Sequence, residues 1–265
     1  MAGEDEIDEG ALVAVAQEAA SAAAVELRSR FGRKPEGVRS KSGPTDLVSD
    51  ADVEAEAAIR IVLAQRRPGD AVLGEEEGLA DSGSSGLRWV VDPLDGTVNF
   101  LFGIPLFAVS VACEDASGAV AGVVLDPIRD ECFAATRSGP AVLNGEPIHG
   151  SSRSELVSAM VATGFGYDSS VRARQAAVVA RVLPRVRDIR RCGAAALDLA
   201  WTACGRFDAY YERGVRIWDV AAGGLIASRA GLEVRELAAK GEDPPGVVVA
   251  PAGLVDSLFE LVALS

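Results

Sequence analysis

Apolar residues along this chain follow two registers, and the change between them divides it. Near the start, Leu12, Val15, Ala16, Ala19, Ala23, Leu27 and Phe31 recur at helical spacing, with Gly32 placed to close the helix. Gly37 to Ser49 reads as a loop or loose hairpin holding Ser42-Gly43-Pro44-Thr45-Asp46. Asp50 or Asp52 is positioned to cap a second helix running to Arg67, which Pro68-Gly69-Asp70 stops. Short apolar runs then take over: Ala71–Gly74, Leu87–Val91, Phe107–Cys113, Ala119–Leu125 and Glu131–Thr136. Turns are expected at Ser117-Gly118, at Pro127–Asp130 and at Asn144-Gly145, and a flexible loop at Asp81–Gly86. Residues 1–150 therefore read as an N-terminal α+β half, two helices followed by a mainly antiparallel sheet. Residues 151–265 alternate as a C-terminal α/β half. Helical patterns at Val171–Leu183, Ala194–Cys204, Ile217–Arg229 and Leu254–Leu264 are spaced by strands near Val157–Thr163, Asp208–Tyr211, Leu232–Leu237 and Val247–Ala250. No tandem repeat or long linker intervenes, so the halves are expected to pack tightly and complete one site.

Composition narrows the chemistry. With 49% hydrophobic and 25% charged residues in 265, the chain has the make-up of a globular protein with a sizeable core. No run of eighteen apolar residues occurs, and the acidic start Glu4-Asp5-Glu6 is unlike a secretory leader, so a cytoplasmic protein without a membrane span is expected. The net charge of −13 opposes binding to nucleic acid or an anionic membrane. Cys113, Cys132, Cys192 and Cys204 show no metal-ligand spacing and read as reduced thiols. The spacing of twelve between Cys192 and Cys204 exceeds three helical turns, too far for a disulfide within a helix. The single histidine, His149, sits after Asn-Gly-Glu-Pro-Ile in an expected surface loop or strand end, which disfavours a His-based metal site or a Ser-His-Asp triad. Acid–base and metal chemistry must then rest on carboxylates.

Three acidic clusters stand at strand ends or helix starts: Gly74-Glu75-Glu76, Asp92-Pro93-Leu94-Asp95-Gly96-Thr97 and Trp218-Asp219. Asp92 and Asp95 flank a proline turn with few basic neighbours in sequence, so they would repel unless a cation sits between them. All-oxygen ligands suit magnesium or manganese ahead of zinc. Each cluster alone is commonplace, since acidic runs are usually solvated and Asp-x-x-Asp is a frequent turn.

In combination they resemble the inositol monophosphatase family of magnesium-dependent, lithium-sensitive phosphatases. The resemblance rests on Gly74-Glu75-Glu76, on Asp92-Pro93-Leu94-Asp95-Gly96-Thr97-Val98-Asn99-Phe100 and on Trp218-Asp219-Val220-Ala221-Ala222-Gly223, in the family's order. Lys41-Ser42 with Thr45-Asp46-Leu47-Val48-Ser49 and Asp52 is similar to its mobile metal-proximal loop, and Asp208–Glu212 to its substrate-binding segment. The resemblance implies a five-layered αβαβα sandwich of the sugar-phosphatase type, mixing α+β and α/β halves, and a homodimer. It implies two or three Mg2+ ions, with Mn2+ as substitute. Glu75, Asp92 and the Leu94 carbonyl would hold the first, and Asp92, Asp95 and Asp219 the second. Gly96 and Thr97 would present N–H groups to phosphate, and Gly193, Ala195 and Glu212 would face the alcohol, with Asp95 and Asp219 alongside. Glu76 would be a secondary acidic neighbour. Ala194 stands where many members carry Ser or Thr, Ser49 where Thr is frequent, Arg216 where animal members carry His, and Pro140 alters a glycine-rich turn.

The reaction so implied is hydrolysis of a small phosphate monoester by direct attack of water, with Glu75 and Thr97 orienting the water and Asp219 on the leaving-group side. Two cations clamping the attacking and departing oxygens supply most of the acceleration in such reactions. A phosphorylated polyol, inositol 1-phosphate, is the expected substrate. Fructose 1,6-bisphosphate, NADP, histidinol phosphate and a 3′-phosphonucleotide are the alternatives within the superfamily. A non-enzymatic cation-binding protein is the remaining reading, but it would have no need of Thr97. Arg190 and Arg191, just before Cys192-Gly193, could receive a second phosphate or simply pair with a surface carboxylate. Glu212 would repel a second phosphate, which favours a monophosphate.

Overall fold

Trp89, Val91, Val109, Val111 and Val123 are buried on one face of a sheet, and Val90, Ala108, Ala112 and Val124 on the other. A sheet covered on both faces explains why these strands read as continuous apolar runs without polar alternation. The structure, a computed structural model, describes residues 7–43, 46–80 and 83–263. Pro44 and Thr45 of the expected metal-proximal loop, and Asp81 and Ser82 of the expected flexible loop, lie outside the described residues.

In chain order the elements are α1 (Glu9–Arg30), β1 (Arg39–Gly43), β2 (Asp46–Val48), α2 (Asp50–Arg66), β3 (Ala71–Gly74), β4 (Gly78–Ala80), β5 (Arg88–Asp95), α3 (Thr97–Leu101), β6 (Ala108–Asp115), β7 (Gly118–Asp126), β8 (Glu131–Thr136), β9 (Val142–Leu143) and β10 (Glu146–Pro147). They continue with β11 (Met160–Thr163), α4 (Ser169–Val182), β12 (Asp188–Arg190), α5 (Ala195–Ala203), β13 (Ala209–Arg213), α6 (Ile217–Arg229), β14 (Glu233–Leu237), β15 (Gly246–Ala250) and α7 (Ala252–Ala263). β1 and β2 form a small hairpin, as the sequence suggested.

An eight-stranded sheet runs β10-β9-β8-β7-β6-β5-β3-β4, antiparallel except for the parallel pair β3 and β5. α1 and α2 cover one face, with Leu12, Ala16, Ala19, Ala20, Ala23, Ala24 and Leu27 of α1 buried there. Among the described residues α1 is the one helix long and apolar enough to cross a bilayer, but its small side chains are spent on close packing against α2 and the sheet. α5 and α6 cover the other face and in turn carry a second, five-stranded sheet, order β12-β11-β13-β15-β14. α4 and α7 close the far side over Val161, Ala209, Tyr211, Val248 and Ala250. The five layers are helix, sheet, helix, sheet, helix.

Several boundaries differ from those expected. Ser49, not Asp50 or Asp52, is the N-cap of α2. Its hydroxyl accepts from Ala51 N at 3.3 Å, while Asp52 reaches back to the Ser49 N–H at 2.8 Å in a capping box. β11 begins at Met160, because Leu156–Ser158 winds into a 3₁₀ turn. The strand β12 was not expected, being three residues long with little apolar character. The second sheet is mixed: β12, β11 and β13 are parallel, whereas β13, β15 and β14 are antiparallel. All four cysteines are free; Cys192 precedes α5 and Cys204 caps it. His149 lies exposed just past β10.

Candidate active site

The site forms where β3 and β5 end and α5 and α6 begin. On a regular strand, residues three apart point to opposite faces. Asp92 and Asp95 escape this rule. Asp92 pairs with Ser110 and Asp95 with Ala108, so three steps on β5 oppose two on β6. The extra residue is a bulge, and a bulge tolerates Pro93, which has no ladder N–H to give. Leu94 is turned into the core under α1 and α2, and both aspartates face the α5–α6 layer. Gly96 then takes φ 96°, and a Cβ there would come within 2.9 Å of the Leu106 carbonyl, so only glycine fits.

Asp95 does two things at once. Its carboxylate accepts from Ala195 N at 3.0 Å and Ala196 N at 2.7 Å, the first N–H groups of α5. Ala194, the N-cap, has no side chain able to cap the helix, so the aspartate from β5 satisfies the orphan donors instead. Ala195, expected to face the alcohol, lines the cleft while giving its N–H to Asp95. Asp219 occupies the first turn of α6 and accepts from Arg216 N at 2.6 Å. Ser110 Oγ donates to the Trp218 carbonyl at 2.9 Å, fixing that helix start against β6.

Asp92, Asp95 and Asp219 offer oxygens that all lie within 4.8 Å of one another. Among the described residues no arginine or lysine forms an ion pair with any of the three. Burial, with the charges of Glu75, Asp95 and Asp219 added, pushes Asp92 well above the ordinary carboxylate range. Burial also raises Asp95 to about 6, against the pull of the α5 N–H groups, and raises Asp219. A divalent cation with hard-ligand preference fits this set, since it would neutralise the repulsion that the fold leaves uncompensated. Glu75 stands one residue beyond Gly74, whose partner across the parallel ladder is Val91, and so borders Asp92 at the cleft wall. It lies outside the tight group of three. The Leu94 residue also lines the cleft.

Thr97 is nearly buried, and its Oγ1 lies 2.8 Å from Asp52 Oδ1 and 3.1 Å from the Leu94 carbonyl. A hydroxyl has one proton, and the carboxylate is the stronger acceptor, so Thr97 donates to Asp52 and keeps lone pairs for a further donor. Asp52 is a site residue whose role the sequence did not disclose. Asn99 is another: its amide donates to the Leu106 carbonyl at 2.7 Å and the Cys192 carbonyl at 2.8 Å, tying β5's end to the segment that carries Gly193.

The carboxylates open into a cleft of about 500 Å³, within the roughly 300–1,000 Å³ of small-molecule sites. Gly193 and Glu212 line it, as expected. Tyr210 Oη donates to Glu212 at 2.8 Å, and burial pushes Glu212 up to about 7 despite that bond and the nearby Arg191 charge. The two arginines part company. Arg190 pairs with Asp188 at 2.6 Å on the surface, whereas Arg191 lines the cleft, its guanidinium 5.8 Å from the Phe165 ring centre. Asp208 is structural, accepting from Met160 N at 2.7 Å and from Arg153 Nε at 3.0 Å.

A family model described as the inositol monophosphatase family matches residues 8–261. An inositol-1-monophosphatase SuhB of Mycobacterium tuberculosis is 44% identical over 240 residues, covering 87% of this chain and 83% of that protein. A Nus factor SuhB of Xylella fastidiosa is 44% identical over 201 residues, 76% of this chain and 72% of that protein. Among solved structures, the extragenic suppressor protein suhB from Bartonella henselae superposes with a TM-score of 0.88 at 36% identity, covering 96% of this chain and 99% of that one.

Proposed function

The chain belongs to the inositol monophosphatase family, and from that premise we propose that it is a Mg2+-dependent phosphatase of a small polyol monophosphate, inositol 1-phosphate. The observation that carries this reading is the unpaired aspartate trio beside the Thr97–Asp52 hydrogen bond, at the head of a cleft of suitable size. Asp92, Asp95 and Asp219 would hold Mg2+, with Glu75 and the Leu94 carbonyl completing the set. The ions, when bound, neutralise phosphate charge and make water a better nucleophile.

The chain's own groups do the rest. Thr97 Oγ1 accepts a hydrogen bond from the attacking water, because its own proton is given to Asp52. As the water attacks phosphorus, its proton passes to Thr97 Oγ1 and the Thr97 proton to Asp52 Oδ1, while the P–O bond to the alcohol breaks and the departing alkoxide takes a proton from a solvent water on the Asp219 side, so no histidine is required. The backbone N–H groups of Gly96 and Thr97 orient the phosphate. Glu212, close to half-protonated near neutral pH, can both accept from and donate to polyol hydroxyls. On the family resemblance we also assign a homodimer, a cytoplasmic location and inhibition by lithium.

A phosphate-release assay over a substrate panel tests the reading. Inositol 1-phosphate is expected to be preferred in magnesium, with activity lost in millimolar lithium. Arg191→Ala is expected to change kcat/KM for it less than threefold, because Glu212 rather than Arg191 reads the hydroxyls. A tenfold preference for fructose 1,6-bisphosphate that Arg191→Ala abolishes would replace the monophosphate reading with a bisphosphatase.

Protons and cations compete for the same oxygens. With Asp95 raised to about 6 and Asp92 and Asp219 also raised, protonation sets in as pH falls from 7 toward 5. Mn2+ affinity measured by calorimetry is expected to drop at least about tenfold between pH 7.5 and 5.5, since each competing proton acts on a tenfold-per-unit scale. An affinity flat across that range would contradict the aspartate assignment.

A further inference from the structure

Glu56 is a fully buried carboxylate on α2, four residues after Asp52. It accepts from Glu76 N at 2.8 Å and from Glu77 N at 3.2 Å. Arg60, one turn further on, donates to Glu56 at 2.8 Å and to the Gly78 carbonyl at 3.0 Å, and its Nε lies 3.2 Å from Glu77 Oε2. The turn between β3 and β4 is therefore gripped by its N–H groups and by its carbonyl from two successive turns of one helix. Contact is close enough that a Cβ on Gly74 would lie 2.2 Å from Glu56 Oε1, so glycine alone lets the strand end on the carboxylate. Glu75 sits between Gly74 and this anchored pair of amides, so its backbone cannot move away from Asp92 without breaking those bonds.

We propose that Glu56 is a positioning residue: with Arg60 it clamps the Glu75–Gly78 turn so that the Glu75 carboxylate stands at the cation site before any cation arrives. The inference rests on reading the carboxylate cluster as that site. The same face of α2 holds Thr97 through Asp52 and the Glu76 and Glu77 amides through Glu56, so a single rigid helix sets the spacing between Thr97 and the turn that carries Glu75. A buried charge here is tolerable because it is met by a guanidinium and two amides. Glutamine cannot reproduce that arrangement, since its NH2 group would face an N–H or Arg60.

Calorimetric titration with Mn2+ tests the clamp without relying on turnover. Loss of a supporting group of this kind costs roughly 10–100-fold in metal affinity, so Glu56→Gln is expected to weaken Mn2+ binding at least about tenfold. Asp70→Asn, which removes the charge paired with Arg67 and one of the two acceptor oxygens away from the cleft, should lower thermal stability and leave Mn2+ affinity unchanged. Equal Mn2+ affinity in wild type and folded Glu56→Gln overturns the role of Glu56 alone. Wild type that binds no Mn2+ overturns the cation site as well, and with it the inference. Should Glu56→Gln not fold, amide hydrogen exchange of the metal-free wild type decides. The Glu76 and Glu77 amides are expected to be protected, and exchange at open-loop rates would refute the clamp.

Discussion

Asp92→Asn is expected to yield a folded protein that has lost at least about two orders of magnitude in turnover, the scale of removing a key electrostatic group from a site. Asp92 belongs to a trio whose oxygens all lie within 4.8 Å of one another, and it is 2% exposed. Its folded-state pKa is raised by burial and by the charges of Glu75, Asp95 and Asp219, so its ionisation opposes folding, and that penalty fades as pH falls toward the ordinary aspartate range. Asparagine mimics the protonated form. Without metal, the variant should therefore melt higher than wild type at pH 7.5, by about 2–4 °C for each kcal/mol of repulsion relieved. The difference should shrink as pH falls and wild-type Asp92 takes up its own proton. The asparagine oxygen can keep the bond that Asp92 Oδ1 accepts from Leu94 N at 2.9 Å, so the bulge should survive. Calorimetry of both proteins with and without Mg2+, beside phosphate release, checks the pair of outcomes. Wild-type turnover in saturating Mg2+ would sink the assignment of Asp92 as a shared ligand.

Thr97→Val should leave cation affinity and KM nearly unchanged and lower kcat by about 10²–10³-fold, within the usual range for a lost proton-transfer group. Valine fills the same space as Thr97, which is 8% exposed, so packing is not the cause. Asp52→Asn should lower kcat comparably and also cost about 1 kcal/mol of stability, because Asp52 closes the capping box of α2 through the Ser49 N–H. If the two act as one relay, the double variant should be scarcely slower than Thr97→Val alone. Additive losses in kcat, or a Thr97→Val enzyme within threefold of wild type, would remove Thr97 and Asp52 from the proton path.

Much of this was legible from the residues in order. The apolar registers placed β8 and α6 to the residue and α1 to within three residues at its start, because each buries a continuous stripe or a doubly covered strand whose period survives in sequence. The acidic motifs singled out Glu75, Asp92, Asp95, Thr97 and Asp219, and the fold brings all five to the wall of one cleft. The two arginines before Gly193 could not be told apart by sequence. Their fates differ because β12 ends at Arg190, leaving Arg191 in the segment that turns into the cleft.

What tertiary structure alone decided is which groups meet. Sequence spacing puts Asp92 and Asp95 on opposite faces of a strand, and only the bulge against β6 turns them together. Ala194 read as the loss of a hydroxyl, until the fold supplied Asp95 as the missing cap of α5. Asp52 and Glu56 left a faint trace, two acids four apart beside the apolar stripe Ala51, Ala55, Ile59 and Leu63. That trace says a helix buries charge but not against what, because the partners Thr97 and Glu76 come from elements 45 and 20 residues away. Local sequence encodes period and residue chemistry. The pairing of buried charges with distant donors is set by how the layers stack, and that is where this site is assembled.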